Sequence, residues 1–131
     1  MIALDTNVLV RFLVEDDKAQ SAKAAKLVAR AVSEDEPLFV SDVVVCETVW
    51  VLSAAYRVPR AEIGEILGRL YVATHLRFHD VDRLARALEA FNAGKGDYAD
   101  YVIREQARAV GCEEVATFDR VLLKETGFAA P

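Results

Sequence analysis

Leu38-Phe39-Val40-Ser41-Asp42-Val43-Val44-Val45-Cys46-Glu47-Thr48-Val49-Trp50-Val51-Leu52 holds a short apolar run, a helix-capping residue and an apolar helix in one unbroken stretch. The first three residues have the length and composition of a buried strand. Ser41 is a side chain that accepts from the free N–H groups of a helix start. Within the helix, the neighbours of Glu47 at three and four residues either way are Val43, Val44, Trp50 and Val51, all apolar. A carboxylate on such a face carries a desolvation cost unless a positive charge meets it. No Lys or Arg lies between Glu36 and Tyr56, so the compensating charge is expected from elsewhere in the fold or from a metal ion.

The same strand-then-helix grammar extends in both directions. Met1 to Leu4 reads as a buried strand ended by Asp5-Thr6-Asn7, with Thr6 or Asn7 capping a helix through Val14. Asp16 or Asp17 opens a long amphipathic helix to about Val32. After the quoted stretch, Pro59 begins a helix to about Tyr71, suiting the preference of proline for the first helical turn. His75 to His79 reads as a strand, and Asp80 or Asp82 caps a helix to Phe91. Asn92 to Gly96 is a loop, Asp97 to Val110 a helix closed by Gly111, and Glu114 to Thr117 a fourth strand. Asp119 to Thr126 reads as a last short helix, with an edge strand possible in the tail. This alternation predicts an α/β fold with a mostly parallel sheet.

The chain has 131 residues, 53% of them hydrophobic and 28% charged, which predicts one globular domain spanning 1–131. Its formal net charge of −5 lacks the basic footprint of a passive nucleic-acid module and suits a protein that gathers carboxylates around cations. Cys46 and Cys112 are far apart and form no CxxC pattern, so neither a disulfide framework nor a thiolate metal site is expected. Met1-Ile2-Ala3-Leu4-Asp5 is not a signal sequence, and no apolar run approaches the ~18 residues of a membrane span. A cytoplasmic setting is expected.

Functional groups of open parallel sheets collect at the carboxyl ends of the strands. Asp5 follows the first strand and Asp119 the fourth; Glu47 lies in the second turn after the second strand, and Asp100 one turn into the helix after the glycine loop. These four acids are expected to converge above one sheet edge, where oxygen donors suit a hard cation such as Mg²⁺ or Mn²⁺. Each also has a plainer reading. Asp5 can make an Asx turn, Glu47 can pair with a distant arginine, Asp100 can pair with Arg104, and Asp119 can cap the last helix. Asp97 can be a helix cap, or can support the metal ligands from the face it shares with Asp100.

The order Asp5-Thr6-Asn7 after the first strand, Glu47 in the third helix, Gly96-Asp97-Tyr98-Ala99-Asp100 opening a later helix, and Ala116-Thr117-Phe118-Asp119 after a strand resembles the PIN domain. It looks most like the VapC-type toxins of bacterial and archaeal toxin–antitoxin pairs. The resemblance runs from Met1 to about Phe128 and includes all four acids. It implies an α/β/α sandwich with a mostly parallel central sheet, and an endoribonuclease dependent on Mg²⁺ or Mn²⁺. It implies a homodimer, silenced by a cognate antitoxin protein and acting on RNA. Carried over, the catalytic metal ligands are Asp5, Glu47, Asp100 and Asp119. Thr117 matches the family's hydroxyl residue before the last acid, Thr6 or Asn7 its polar companion after the first, and Asp97 remains a supporting group.

Other features weigh less. His75 and His79 lack a carboxylate or cysteine at zinc-site spacing. Trp50 reads as core or dimer interface, and Arg11 or Lys95 could touch RNA phosphate or an inhibitor. A dehalogenase-like Mg²⁺ phosphatase needs a second acid where this chain has Asn7, and a receiver domain needs a paired acid at the first strand. A non-catalytic or differently specific PIN-like binding module is the remaining alternative, and would tolerate loss of any one acid.

Overall fold

The computed structural model describes residues 1–131. The elements run β1 (Ile2–Ala3), α1 (Thr6–Leu13), α2 (Lys18–Ser33), β2 (Leu38–Val40), α3 (Asp42–Ala54), α4 (Arg60–Tyr71), β3 (Leu76–Phe78), α5 (Val81–Ala93), α6 (Tyr98–Ala109), β4 (Val115–Ala116), a 3₁₀ turn (Leu122–Lys124) and β5 (Phe128–Ala129). The chain forms two compact units, Met1–His79 and Asp80–Pro131.

In the first unit β1, β2 and β3 form a parallel sheet in that order, with Ile2 opposite Leu38 and Leu38 opposite Leu76. Parallel neighbours require crossovers, and a helix pair fills each one: α1 and α2 between β1 and β2, α3 and α4 between β2 and β3. Leu9, Val40, Val45, Leu52, Ile63 and Leu67 form the buried centre. Truncating one such leucine to alanine costs about 2–5 kcal/mol, because the cavity collapses only in part. Local signals set the helix starts. Asp17 and Ser41 accept from Gln20 N–H and Val44 N–H, as side chains before a first helical turn do.

In the second unit α5 packs on α6, and β4 and β5 pair in parallel. Asp80 caps α5 through Arg83 N–H. Leu84, Ala87, Phe91, Tyr98, Tyr101 and Val102 are buried, and Phe91 meets Tyr98 edge to face at 5.7 Å. Gly111 ends α6 at φ +95°, the left-handed conformation that glycine adopts without a Cβ penalty.

Four readings of the sequence are corrected. Asp5, not Thr6 or Asn7, caps α1, since its Oδ1 accepts Val8 N–H at 3.0 Å. Pro59 is the cap residue of α4 and Arg60 the first helical one. The last helix shrinks to a single 3₁₀ turn, because the chain leaves it at once to pair β5 with β4. The fourth strand is accordingly laddered to β5, and the sheet of β1–β3 is a separate hydrogen-bonded set.

Candidate active site

The first unit presents Asp5, Thr6 and Glu47. Asp5 sits directly after the first strand, and its cap bond to Val8 occupies only Oδ1. Thr6, the first residue of α1, donates from Oγ1 to Glu47 Oε1 at 2.9 Å. The start of α1 therefore holds one acid directly and orients the other through a hydroxyl. Its free N–H groups and positive dipole end favour negative charge there. The expected burial of Glu47 is not found: it is exposed, and its flanking Val43 and Trp50 are 68% and 69% exposed. The apolar face of α3 is open, so no desolvation demands a partner for Glu47, and Trp50 is not core. Asn7 is exposed beside Asp5, on a cavity of about 330 Å³ that also borders Arg11 and Lys23. Arg11 is committed to Asp16, Gln20 and the Tyr56 hydroxyl.

The second unit presents Asp97, Asp100, Thr117 and Asp119. Asp97 is the N-cap residue of α6, and its N–H donates to Asp100 Oδ2 at 3.1 Å, the returning half of a capping box. Thr117 Oγ1 accepts Asp119 N–H at 3.0 Å, and Asp119 Oδ1 accepts Val121 N–H at 2.9 Å. Asp119 thus shapes the turn after β4, and the hydroxyl two residues before it fixes its backbone. Half-burial of Asp100 raises the pKa of its carboxyl, the Asp97 N–H draws it back, and the charges of Asp97, Asp119 and Glu125 raise it further. These acids are close enough to repel one another.

None of Asp5, Glu47, Asp100 and Asp119 forms an ion pair. The plain pairing readings of Glu47 and Asp100 therefore do not hold. Arg104 instead turns to Glu105 and to the Thr126 carbonyl, at 3.2 and 2.9 Å. The donors available at these positions are carboxylate and hydroxyl oxygens, which fit a hard divalent cation in chemistry. As the side chains lie, no three His, Cys, Asp or Glu groups are gathered to hold a metal ion. His75 faces Asp35 at 3.5 Å, a single carboxylate and no zinc set. Burial pushes the Cys46 thiol up to about 11, so it is inert as a nucleophile.

Two features escaped the sequence. Phe118, between Thr117 and Asp119, is 88% exposed, and Lys124 shares a cavity with Lys95. An aromatic next to a proposed ligand was a signal that could have been read, whereas the Lys124–Lys95 meeting is purely tertiary.

No helix is long and apolar enough to cross a membrane. The family model described as PIN domain matches residues 2–129. The chain is 26% identical over 129 residues to a VapC ribonuclease of Aquifex aeolicus (strain VF5), covering 98% of this chain and 93% of that protein. With the match spanning nearly every residue and the acids standing in the family's order, the chain belongs to the PIN domain family.

Proposed function

We propose that this chain is a metal-dependent endoribonuclease, a single PIN domain acting as the toxin of a VapC-type toxin–antitoxin pair. The observation that carries the reading is that Asp5, Glu47, Asp100 and Asp119 all lack a cationic partner within the protein. Likeness to a VapC ribonuclease supports the same reading.

Asp5, Glu47, Asp100 and Asp119 would hold Mg²⁺ or Mn²⁺. When bound, such a cation supplies Lewis acidity toward a phosphodiester and an acidified water. The protein's own part is orientation. Asp5 keeps one carboxylate oxygen free of the helix cap, and Thr6 fixes the rotamer of Glu47. Asp97 holds Asp100 by its N–H, and Thr117 holds the turn that carries Asp119. The exposed Val43 and Trp50 beside Glu47 offer an apolar surface to a protein partner, in this reading the antitoxin or a second copy of the chain.

The test is cleavage of structured RNA by rigorously purified protein with Mg²⁺ or Mn²⁺, with EDTA, and with metal restored. Cleavage that EDTA abolishes and metal restores is expected. Undiminished cleavage in chelator would defeat the metal assignment. RNA binding without cleavage under any metal would favour the binding-module alternative.

A further inference from the structure

An acidic chain that acts on a polyanion needs local cations to receive it. In the second unit one cavity of about 640 Å³, bordered by Ala93 and Val121, brings together Lys95, Lys124 and Arg104 with a single carboxylate, Glu125. The size is in the range of small-ligand pockets and admits a nucleotide. The ammonium groups of Lys95 and Lys124 form no ion pair. Glu125 is already occupied, accepting the Tyr101 hydroxyl at 2.6 and 2.9 Å and Lys95 N–H at 3.3 Å.

Arg104, which lines the cavity, belongs to a cluster of the same sign. Glu105, with its side chain 4% exposed, binds Arg86, Arg104 and Arg108 at 3.3, 3.2 and 2.9 Å. One carboxylate against three guanidiniums leaves two positive charges in excess. Arg104 is fixed between this cluster and the Thr126 carbonyl, so it cannot swing away to neutralise another acid. Glycine is required at the rim: a Cβ on Gly94 would collide with the Tyr101 hydroxyl and Glu125 Oε1. Glu125 borders the cavity and its charge also acts on Asp100, so within the second unit the cationic cavity and Asp100 are neighbours.

We infer that the cavity of Lys95, Lys124 and Arg104 is a phosphate-binding subsite for RNA, taking a backbone phosphate away from the one that is cut. The inference rests on the nuclease reading for the identity of its ligand. The two lysines supply mobile point charges, Arg104 a fixed one, and the apolar wall at Ala93 and Val121 accommodates a sugar or base without reading its sequence.

Each phosphate neutralised on single-stranded nucleic acid contributes about −0.7 to the slope of log K against log salt. The measurement is fluorescence anisotropy of a labelled single-stranded RNA with the full chain in EDTA, over about 0.1 to 1 M salt. Lys95→Ala and Lys124→Ala are each expected to flatten the slope, and the double variant to flatten it by about 0.7, the share of one phosphate. That corresponds to about fivefold weaker binding at 0.1 M salt, with convergence on the parent near 1 M. Lys124→Arg should restore the slope, and Lys26→Ala on α2 should leave it unchanged. Slopes that do not move, or affinity that falls equally at every salt concentration, overturn the subsite. A cavity that takes inorganic phosphate or a mononucleotide while the RNA slope stays fixed is a small-anion site, which also overturns it. If metal-dependent cleavage is found but the slopes do not move, only the subsite fails. If the slopes move but no metal yields cleavage, only the nuclease reading fails.

Discussion

Thr6 Oγ1 donates a 2.9 Å hydrogen bond to Glu47 Oε1, tying the first turn of α1 to the second turn of α3. Glu47 is exposed, so this bond adds little to stability; its effect is to choose one direction for the carboxylate. Thr6→Val, which keeps the shape and removes the hydroxyl, should change stability by about 1 kcal/mol or less. Activity should fall about tenfold or more, the usual cost of losing a group that orients a metal ligand. Thermal melts and initial cleavage rates on the same preparations separate the two effects. A large loss of stability with activity preserved would assign Thr6 to folding alone.

Asp5 combines a helix cap with a proposed ligand, and two substitutions separate these roles. Asn caps as well as Asp, so Asp5→Asn should keep the fold and abolish cleavage. Asp5→Ala should abolish cleavage and also lose about 1 kcal/mol through the unsatisfied Val8 N–H. Melting in EDTA is the readout. If Asp5→Asn melts well below the parent, the charge itself is structural.

The legible parts of the fold were those decided within one turn of chain. Ser41 caps where it is expected, and of the pairs Asp16 or Asp17 and Asp80 or Asp82 the structure chooses Asp17 and Asp80. At the first helix the sequence points to Thr6 or Asn7, and only the backbone turn after β1 makes Asp5 the cap. The face of α3 was misjudged because sequence cannot tell a covered apolar stripe from an open one. Trp50 and Val43 are open. At the candidate site the sequence proposes the acids, and their hydrogen-bond partners lie beyond its reach. Thr6 bound to Glu47 and Arg104 turned from Asp100 toward Glu105 are both long-range or rotamer choices.

Glu105 is the clearest structural charge in the second unit. Its side chain is 4% exposed and meets Arg104, itself 10% exposed, with Arg86 and Arg108 from the more open side. Glu105→Ala leaves Arg104 buried without a carboxylate, with the Thr126 carbonyl and the Tyr101 and Phe128 rings to receive it. Loss of about 3–5 kcal/mol is expected, the usual cost of stripping one partner from a buried pair. Denaturant unfolding should show a lower midpoint at unchanged slope. A loss under ~1 kcal/mol would mean that solvent reaches Arg104 easily.

Asp100 supplies the pH-dependent prediction. In the folded chain its carboxyl is raised above the ordinary 3.8, first by burial and then, against the pull of the Asp97 N–H, by the charges of Asp97, Asp119 and Glu125. The native state therefore holds this proton more tightly than the unfolded chain does. Between the ordinary value and the raised one the native state binds more protons, so stability falls as pH rises through that window. Above it the ionised Asp100 remains a net destabilising charge in the metal-free protein. Asp100→Asn removes that charge while its amide oxygen can still accept the Asp97 N–H. In EDTA the variant should melt at or above the parent near neutral pH, and the gap should close as pH falls toward 3.8. Mg²⁺ or Mn²⁺ should raise the parent's melting temperature at neutral pH and leave Asp100→Asn nearly unmoved, because a cation relieves repulsion only where the carboxylates that cause it are present. Melts of both proteins across pH, with and without metal, test each step. Equal metal stabilisation of the two proteins would show that Asp100 holds no cation, and a variant that melts below the parent at neutral pH, with the gap closing toward acid pH, would reverse the sign argued here.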